Sequence, residues 1–203
     1  MLLLAFFSFL LLRITLEYIP IRYEAAFLMI KQHVIHITHW RIAFFVHVFT
    51  GMFVLVAGFT QFSKTILKRY PKLHRAMGYV YVADVLLVTG PASFIMSFYA
   101  NGGFYSQMAF VLLAVLWWYF TLVALLKARR RDIQAHRAFM IRSYALTLSA
   151  VTLRAWKFAI MYVAHPHPME VYRAVAWLGW TVNIVIAELI IYQRIKKQFL
   201  RLV

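Results

Sequence analysis

Histidines are the residues of this sequence best suited to chemistry, and two of them stand in matching positions. His74 and His136 each precede an arginine, Arg75 and Arg137, at the start of an apolar segment. If both segments cross a membrane, the two imidazoles lie at equal depth, where they could bracket the iron of a b-type haem while the arginines pair with its propionates. The alternative is an interfacial role, because basic residues at a membrane surface also bind anionic lipid headgroups.

Three charged residues fall within the inner half of the apolar segments: Asp84, Arg142 and Glu188. A charge at the centre of a bilayer costs roughly 3 kcal/mol or more, so such residues usually face the protein interior and pair with one another. We therefore expect an intramembrane ionic cluster of these three residues. Because two acids share one base, one carboxyl is open to protonation, and a proton-coupled transporter using Asp84 or Glu188 is an alternative function.

A second polar region is expected in the outer half of the membrane, where Arg154 and His47 have no acid within the spans at similar depth. This excess of positive charge favours a pocket for an anionic or electron-rich group, such as a haem propionate, a quinone carbonyl or a lipid phosphate. The leading functional prediction is therefore an integral membrane binding or accessory protein with a polar intramembrane pocket for a lipidic, quinone-like or cofactor ligand. A b-type haem electron-transfer protein is the main alternative.

A metal site is a further possibility, because His33, His36 and His39 recur every third residue. On a helix, two of them could hold Zn²⁺ or Cu²⁺ together with His165 or His167. The alternative is that these histidines lie at the membrane interface without a metal. No nucleotide-binding loop, serine-nucleophile motif or zinc-protease motif occurs, so the sequence favours a protein that is not an enzyme, unless it transfers electrons as an oxidoreductase.

The elements that must position these residues are membrane-spanning helices. The chain of 203 residues is 64% hydrophobic and 14% charged, whereas a soluble domain is about half apolar and a quarter charged. A helix needs about 20 apolar residues to cross a bilayer. The sequence predicts an all-α bundle of six transmembrane helices in one membrane domain, residues 1–203. The predicted spans are residues 1–19, 42–62, 77–99, 104–126, 138–162 and 171–192, with an interfacial amphipathic helix at 22–40.

The charge pattern predicts the orientation of the bundle. Lys and Arg number 22 against 6 Asp and Glu, for a net charge of +16, and the basic residues cluster at 64–75, 127–137 and 194–201. These clusters fall at alternate junctions between spans, so the positive-inside rule places them and both termini in the cytoplasm. Membrane lipids, including anionic lipids at that face, are the expected partners, and nucleic acid is not. The absence of cysteine excludes disulfides and thiolate ligands.

A short sequence string occurs twice in the chain, and we call this internal similarity the echo. The string LHRAMG at residues 73–78 resembles AHRAFM at 135–140, and each follows a basic loop and opens an apolar segment. Two spans separate the copies, so they share an orientation. The echo predicts a parallel repeat of a helix–loop–helix unit, or else two helices that share a basic interfacial start.

Three strings carry a family resemblance: GFTQF at 58–62, LHRAMGYVY at 73–81 and HRAFMIRSYALT at 136–147, with Arg154 beyond them. They resemble a family of bacterial predicted membrane proteins classed as a domain of unknown function, over about residues 42–154. The resemblance implies a multi-helix protein of the bacterial inner membrane, and it implies no reaction. The chain is more loosely similar to the six-helix cytochrome b561-like proteins, although it lacks their paired histidines within the helices. Membership of a larger membrane complex, through a partner subunit, is a further expectation.

Overall fold

The computed structural model describes the backbone of residues 2–199 and the side chains of residues 5–196, and within this range it contains helices and no strand. The all-α prediction is confirmed. The elements in chain order are α1 Leu2–Leu16, a 3-10 helix Ala26–Lys31, α2 Thr38–Gln61, α3 Lys64–Arg69, α4 Pro71–Ala83, a π-helical segment Asp84–Val88, α5 Thr89–Ser97, α6 Phe104–Arg129, α7 Ile133–Thr147, α8 Ser149–Ala164 and α9 Pro168–Phe199.

Four helices are long and apolar enough to cross a membrane: Thr38–Gln61, Pro71–Ser97, Phe104–Arg129 and Pro168–Lys196. Each coincides with one predicted span. The second of them is built from α4, the π-helical segment and α5 in continuous succession. A fifth predicted span, 138–162, is instead the pair α7 and α8, bent by 43°. The described residues therefore hold four spans, or five if the bent pair crosses as one.

The first predicted span, 1–19, is not confirmed. Helix α1 has 15 residues, which gives a length of about 22 Å against a hydrocarbon core of about 30 Å. Residue Met1 lies outside the described residues. Backbone hydrogen bonds from the amides of residues 17–19 to carbonyls three positions earlier form turns that follow the helix. On length alone, α1 is too short to cross the core without help from its neighbours.

The predicted amphipathic helix over 22–40 is replaced by the 3-10 helix, a series of turns and the start of α2. Residues 33–39 are all β-branched or histidine, which are weak helix formers. This segment packs instead against a mainly aromatic core. The buried members of this core are Tyr18, Leu28, Val34, Trp40 and Phe44.

The chain packs as two compact units, residues 1–100 and 101–203, and the single membrane domain over residues 1–203 stays a prediction. In the first unit, α2 packs against α1, α4, the π-helical segment and α5. In the second, α6 packs against α7 while α9 contacts α6, α7 and α8. Helices α2 and α9 thus each contact most of the other helices of their unit.

The bend between α7 and α8 is stabilised by a buried amide. Asn183 on α9 donates from Nδ2 to the carbonyl oxygen of Ala145 at 3.0 Å, just before the bend. The same Nδ2 lies 2.9 Å from Thr152 Oγ1 on α8, and Thr152 donates to the Gly179 carbonyl at 2.5 Å. A broken helix is tolerated in a membrane only where other groups satisfy its backbone, and Asn183 and Thr152 supply these groups.

Helices α8 and α9 approach most closely at Gly179. A Cβ atom at this position would lie 2.9 Å from Leu153 Cβ and 3.2 Å from Leu153 Cα. These are atoms of a neighbouring helix that cannot rotate away. Glycine is therefore required here by close packing between the two helices.

We expect Gly179→Ala to lower the free energy of unfolding by about 1–3 kcal/mol, because the added methyl group must displace α8. Gly51→Ala is the matched control, since a Cβ there would be 3.9 Å from Thr89 Cγ2, an ordinary contact. We expect the control to leave stability unchanged or to raise it by up to about 1 kcal/mol through helix propensity. Unfolding in mixed micelles, followed by circular dichroism, measures both variants, and equal effects would contradict the tight crossing.

Candidate functional site

A buried carboxyl group lies at the π-helical break of the second span. Asp84 is the first residue of that segment and is 9% exposed. Its Oδ1 accepts a hydrogen bond from Thr89 Oγ1 at 2.5 Å, and Thr89 is itself fully buried. Thr89 Oγ1 lies 2.6 Å from Thr50 Oγ1 on α2. The carboxyl group therefore ends a line of two threonine hydroxyls that crosses from one span to its neighbour.

A serine and a histidine extend this polar region along α2 and α5. Ser93 Oγ donates to the Thr89 carbonyl at 2.7 Å and lies 2.8 Å from His47 Nδ1. We call Asp84, Thr89, Thr50, Ser93 and His47 together the hydroxyl chain. Asp84, Thr89 and Thr50 are linked through their side chains, whereas Ser93 and His47 are connected to them through the Thr89 backbone carbonyl.

Helix geometry explains why these side chains meet. Thr89 and Ser93 are four residues apart on α5, and His47 and Thr50 are three apart on α2, so each pair lies on one helix face. The π-helical turn closes with a bond from the Thr89 amide to the Asp84 carbonyl, five residues back. Such turns insert one extra residue into an α-helix and are frequent at functional sites. Here the turn brings Thr89 onto Asp84.

The second unit places a salt bridge between α7 and α9. Arg142 Nε and Nη2 donate to the two carboxylate oxygens of Glu188 at 2.5 and 2.8 Å. The guanidinium also lies 5.0 Å from the centre of the Phe139 ring. The two side chains are 20% and 48% exposed, respectively. The pair is thus bidentate, with the carboxylate on the surface of the described chain.

The ionic cluster expected from the sequence is only partly reproduced by these contacts. Arg142 and Glu188 are brought together, whereas Asp84 accepts hydrogen bonds from Thr89 and Thr50 within the first unit. The two ion pairs found among the described residues, Lys127–Asp132 and Arg142–Glu188, both belong to the second unit. Residue depth along a helix, which the sequence provides, does not specify the direction in which a side chain points.

Arg154 and His47, the residues of the predicted ligand pocket, belong to α8 and α2. Arg154 is an exposed residue of α8 whose guanidinium donates to the Ala150 carbonyl of its own helix. Two open depressions occur at the surface of the described chain, one along residues 22–25 and one along residues 64–69. Neither contains Arg154 or His47, so the binding of a lipidic or quinone-like ligand there stays a prediction.

His74 and His136 occupy equivalent positions, each as the fourth residue of its helix, α4 and α7. His136 Nδ1 bonds the Ala124 carbonyl of α6 at 2.8 Å. His74 is held through its own carbonyl, which accepts from Gln61 Nε2 at 2.9 Å, while its Nδ1 is buried without a hydrogen-bond partner among the described residues. The adjacent arginines, Arg75 and Arg137, are exposed. The two histidines belong to different units.

The predicted metal site at His33, His36 and His39 is not formed in the described part of the chain. No three His, Asp or Glu side chains lie close enough there to hold a metal ion. The regular helix that the spacing required is absent, because only His39 lies in α2 and the other two lie in turns. His39 Nε2 instead lies 2.7 Å from the hydroxyl of Tyr99.

The sequence reading missed the alcohols of both units. In the second unit, Thr121 Oγ1 lies 2.6 Å from Ser143 Oγ, and Trp117 Nε1 donates to Thr147 Oγ1 at 3.1 Å. Serine and threonine are ordinary residues of membrane helices, where each can also bond its own backbone. Their spacing of four residues, as in Thr89 and Ser93 or in Ser143 and Thr147, is the signal that could have revealed them.

Lys31 is a second missed residue, buried in the aromatic core of the first unit. It is 2% exposed, donates to the Tyr99 carbonyl, and lies 5.7 and 6.0 Å from the ring centres of Phe27 and Trp40. Loss of hydration on burial lowers the pKa of this amine to about 8. Lys31 thus ties the 3-10 helix to the chain that follows α5.

The lowered pKa of Lys31 has a consequence for stability. Between pH 8 and 10.5 the unfolded chain binds more protons at this amine than the folded chain does, so stability rises with pH in this window. We expect the rise to reach up to about 3 kcal/mol and to be absent in Lys31→Met. Subtracting the variant's pH–stability curve from that of the wild type removes the other titrating groups. Parallel curves for the two proteins would refute the burial of a titrating amine.

The family model described as "Predicted membrane protein (DUF2306)" matches residues 44–191. This match reaches from α2 into α9 and includes Asp84, His74, His136 and Glu188. No curated protein and no solved structure matches the chain. The looser likeness to cytochrome b561-like proteins stays a prediction.

Proposed function

We propose that this chain, which belongs to the DUF2306 family of predicted membrane proteins, is a proton-coupled membrane transporter whose proton-carrying group is Asp84. We further take the membrane to be a bacterial inner membrane with the basic ends of the spans in the cytoplasm, as the charge pattern predicts. The observation that carries the proposal is a buried carboxyl that accepts hydrogen bonds from threonines at a helix break within a span. An ionisable residue in that setting is by default a functional group.

The hydroxyl chain can operate with either charge state of Asp84. When the carboxyl is ionised, Thr50 donates to Thr89 and Thr89 donates to Asp84. When the carboxyl is protonated, these two bonds reverse, so that Asp84 donates to Thr89 and Thr89 donates to Thr50. The Thr50 hydrogen then goes to the Val46 carbonyl, which lies 2.7 Å away. Each hydroxyl has one hydrogen and uses it in both states. Both charge states of Asp84 therefore leave the hydroxyls of Thr89 and Thr50 hydrogen-bonded.

His47 provides a second group that can exchange protons. Ser93 has one hydroxyl hydrogen, which it donates to the Thr89 carbonyl. In its contact with Ser93, His47 Nδ1 is then the donor, and this fixes the tautomer of the imidazole. The first unit thus contains an acid and a base, each held by an alcohol of α5.

The helix break favours transport over a purely structural role. Coupling sites of transporters typically use discontinuous membrane helices, and the second span contains both a π-helical turn and the pair Gly90–Pro91 directly after it. Proline cannot donate a backbone hydrogen bond, so the helix bends more easily at the turn before it. Asp84 lies at that point.

In proteoliposomes with an internal pH-sensitive dye, driven by a potassium diffusion potential, we expect Asp84→Asn to reduce proton uptake by about a hundredfold, the factor typical of a positioned acid–base group. Thr89→Val, which keeps the shape but removes the hydroxyl, should reduce uptake in the same direction. Thr89→Ser should retain uptake because it restores the hydroxyl. Asp132→Asn, at the start of α7 outside the spans, is the control.

A readout independent of flux completes this test. Infrared difference spectra between acidic and alkaline buffer should contain the C=O band of a protonated buried carboxyl in the wild type and lack it in Asp84→Asn. The proposal fails if Thr89→Val and Thr89→Ser vesicles take up protons equally, or if the carboxyl band persists without Asp84.

Haem binding is the second candidate function, and the contact of His136 favours it. Because the nitrogen bonded to the Ala124 carbonyl must carry the hydrogen, the lone pair of the neutral imidazole is on Nε2. Metal-ligating histidines are commonly oriented by such a bond from the other ring nitrogen to a backbone carbonyl. A b-type haem whose iron is held by Nε2 of His136 would be consistent with this tautomer.

Absorption spectroscopy of protein produced with added haem tests this candidate. We expect a Soret band that shifts on reduction with dithionite and is lost in His136→Ala, because the axial ligand has been removed. His167→Ala, in the loop between α8 and α9, should leave the spectrum unchanged. A wild-type protein without a Soret band would eliminate haem and leave the proton-transfer proposal intact.

A further inference from the structure

The ion pair of Arg142 and Glu188 lies at a depth where water is scarce. Glu188 is eight residues before Lys196, where the span of α9 ends, which is about 12 Å along the helix axis. The 29-residue span is about 43 Å long, so a core of about 30 Å centred on it contains Glu188 about 5 Å inside its edge. The Glu188 side chain is nevertheless 48% exposed.

The exposed face of this pair has both donors and acceptors to spare. A guanidinium has five N–H donors, and Glu188 takes two of them. Each carboxylate oxygen can accept a second hydrogen bond. A partner suited to this face must therefore present an anion to Arg142 and a cation to Glu188 at the same time.

We propose that a second copy of this chain covers the face, with the Arg142 of each copy bonded to the Glu188 of the other around a two-fold axis along the membrane normal. An isologous contact of this kind is self-complementary, because the same patch supplies both charges. Four charges then satisfy one another at the centre of the contact, and the cost of a carboxylate facing lipid tails is avoided.

The surroundings of Glu188 suit such a contact. Exposed apolar side chains lie before and after Glu188 on α9 at intervals of three and four residues: Val185, Tyr192 and Ile195. This spacing places them with Glu188 along one line of the helix, as in the seam between paired helices. A polar group within an apolar seam specifies the register of two helices.

The absence of cysteine makes crosslinking a clean test. In the full-length protein in vesicles, we expect Val185→Cys and Tyr192→Cys, one turn on either side of Glu188, to form disulfide-linked dimers on mild oxidation. Phe158→Cys and Val163→Cys on α8 are matched controls, because they are 76% and 78% exposed but lie outside the proposed contact. Crosslinking that is equal at the two faces would overturn the proposal.

Variants in which one charge of the pair is reversed distinguish an ion pair between two copies from the ion pair within one copy. Glu188→Arg supplies two cations and Arg142→Glu two carboxylates, so each variant alone repels its own copies. We expect neither to crosslink alone through Val185→Cys, and an equimolar mixture with different labels to form mixed dimers at least about tenfold more often than like pairs.

Two results would contradict this inference. One is a wild-type protein that remains monomeric at every protein-to-lipid ratio in single-molecule photobleaching. The other is a mixture of the charge variants that crosslinks no better than each variant alone while both remain helical by circular dichroism.

Discussion

The scarcity of water around the spanning helices is the constraint on which the rest of this structure depends. Each polar group inside a bilayer must find its partner within the protein. The regular α-helix is interrupted at Asp84–Val88 and at Leu148. At each interruption a polar side chain forms a hydrogen bond to a residue near the break. Thr89 bonds to Asp84 at the first, and Asn183 bonds to the Ala145 carbonyl at the second.

The two units satisfy their acidic residues in different ways, and the difference separates their roles. In the second unit, Glu188 is neutralised by a bidentate arginine, so the pair holds its charges and can serve as a fixed point of contact. In the first unit, Asp84 is bonded to hydroxyls, which can act as donors or as acceptors. A group whose partners can reverse is suited to gaining and losing a proton.

Apolar length predicted four spans correctly because it depends on composition alone. The predicted span over residues 1–19, which contains Arg13 and Glu17, is not confirmed, because α1 ends at Leu16. The predicted helix over residues 22–40 was wrong, because packing onto Trp40 and Phe44 outweighs a weak helical tendency. The hydroxyl chain escaped prediction because a threonine does not reveal from sequence whether its hydroxyl bonds its own helix or a neighbour.

The sequence by itself determined that this is an all-α membrane protein and at what depth along its helix each charge lies, because hydropathy and a rise of about 1.5 Å per residue are local properties. It did not determine which charges meet. Pairing depends on the rotation of each helix about its axis, and a single π-helical turn or a 43° bend changes that rotation for every residue beyond it. Only the tertiary structure therefore decided that Arg142 reaches Glu188, and that Asp84 is held by Thr89.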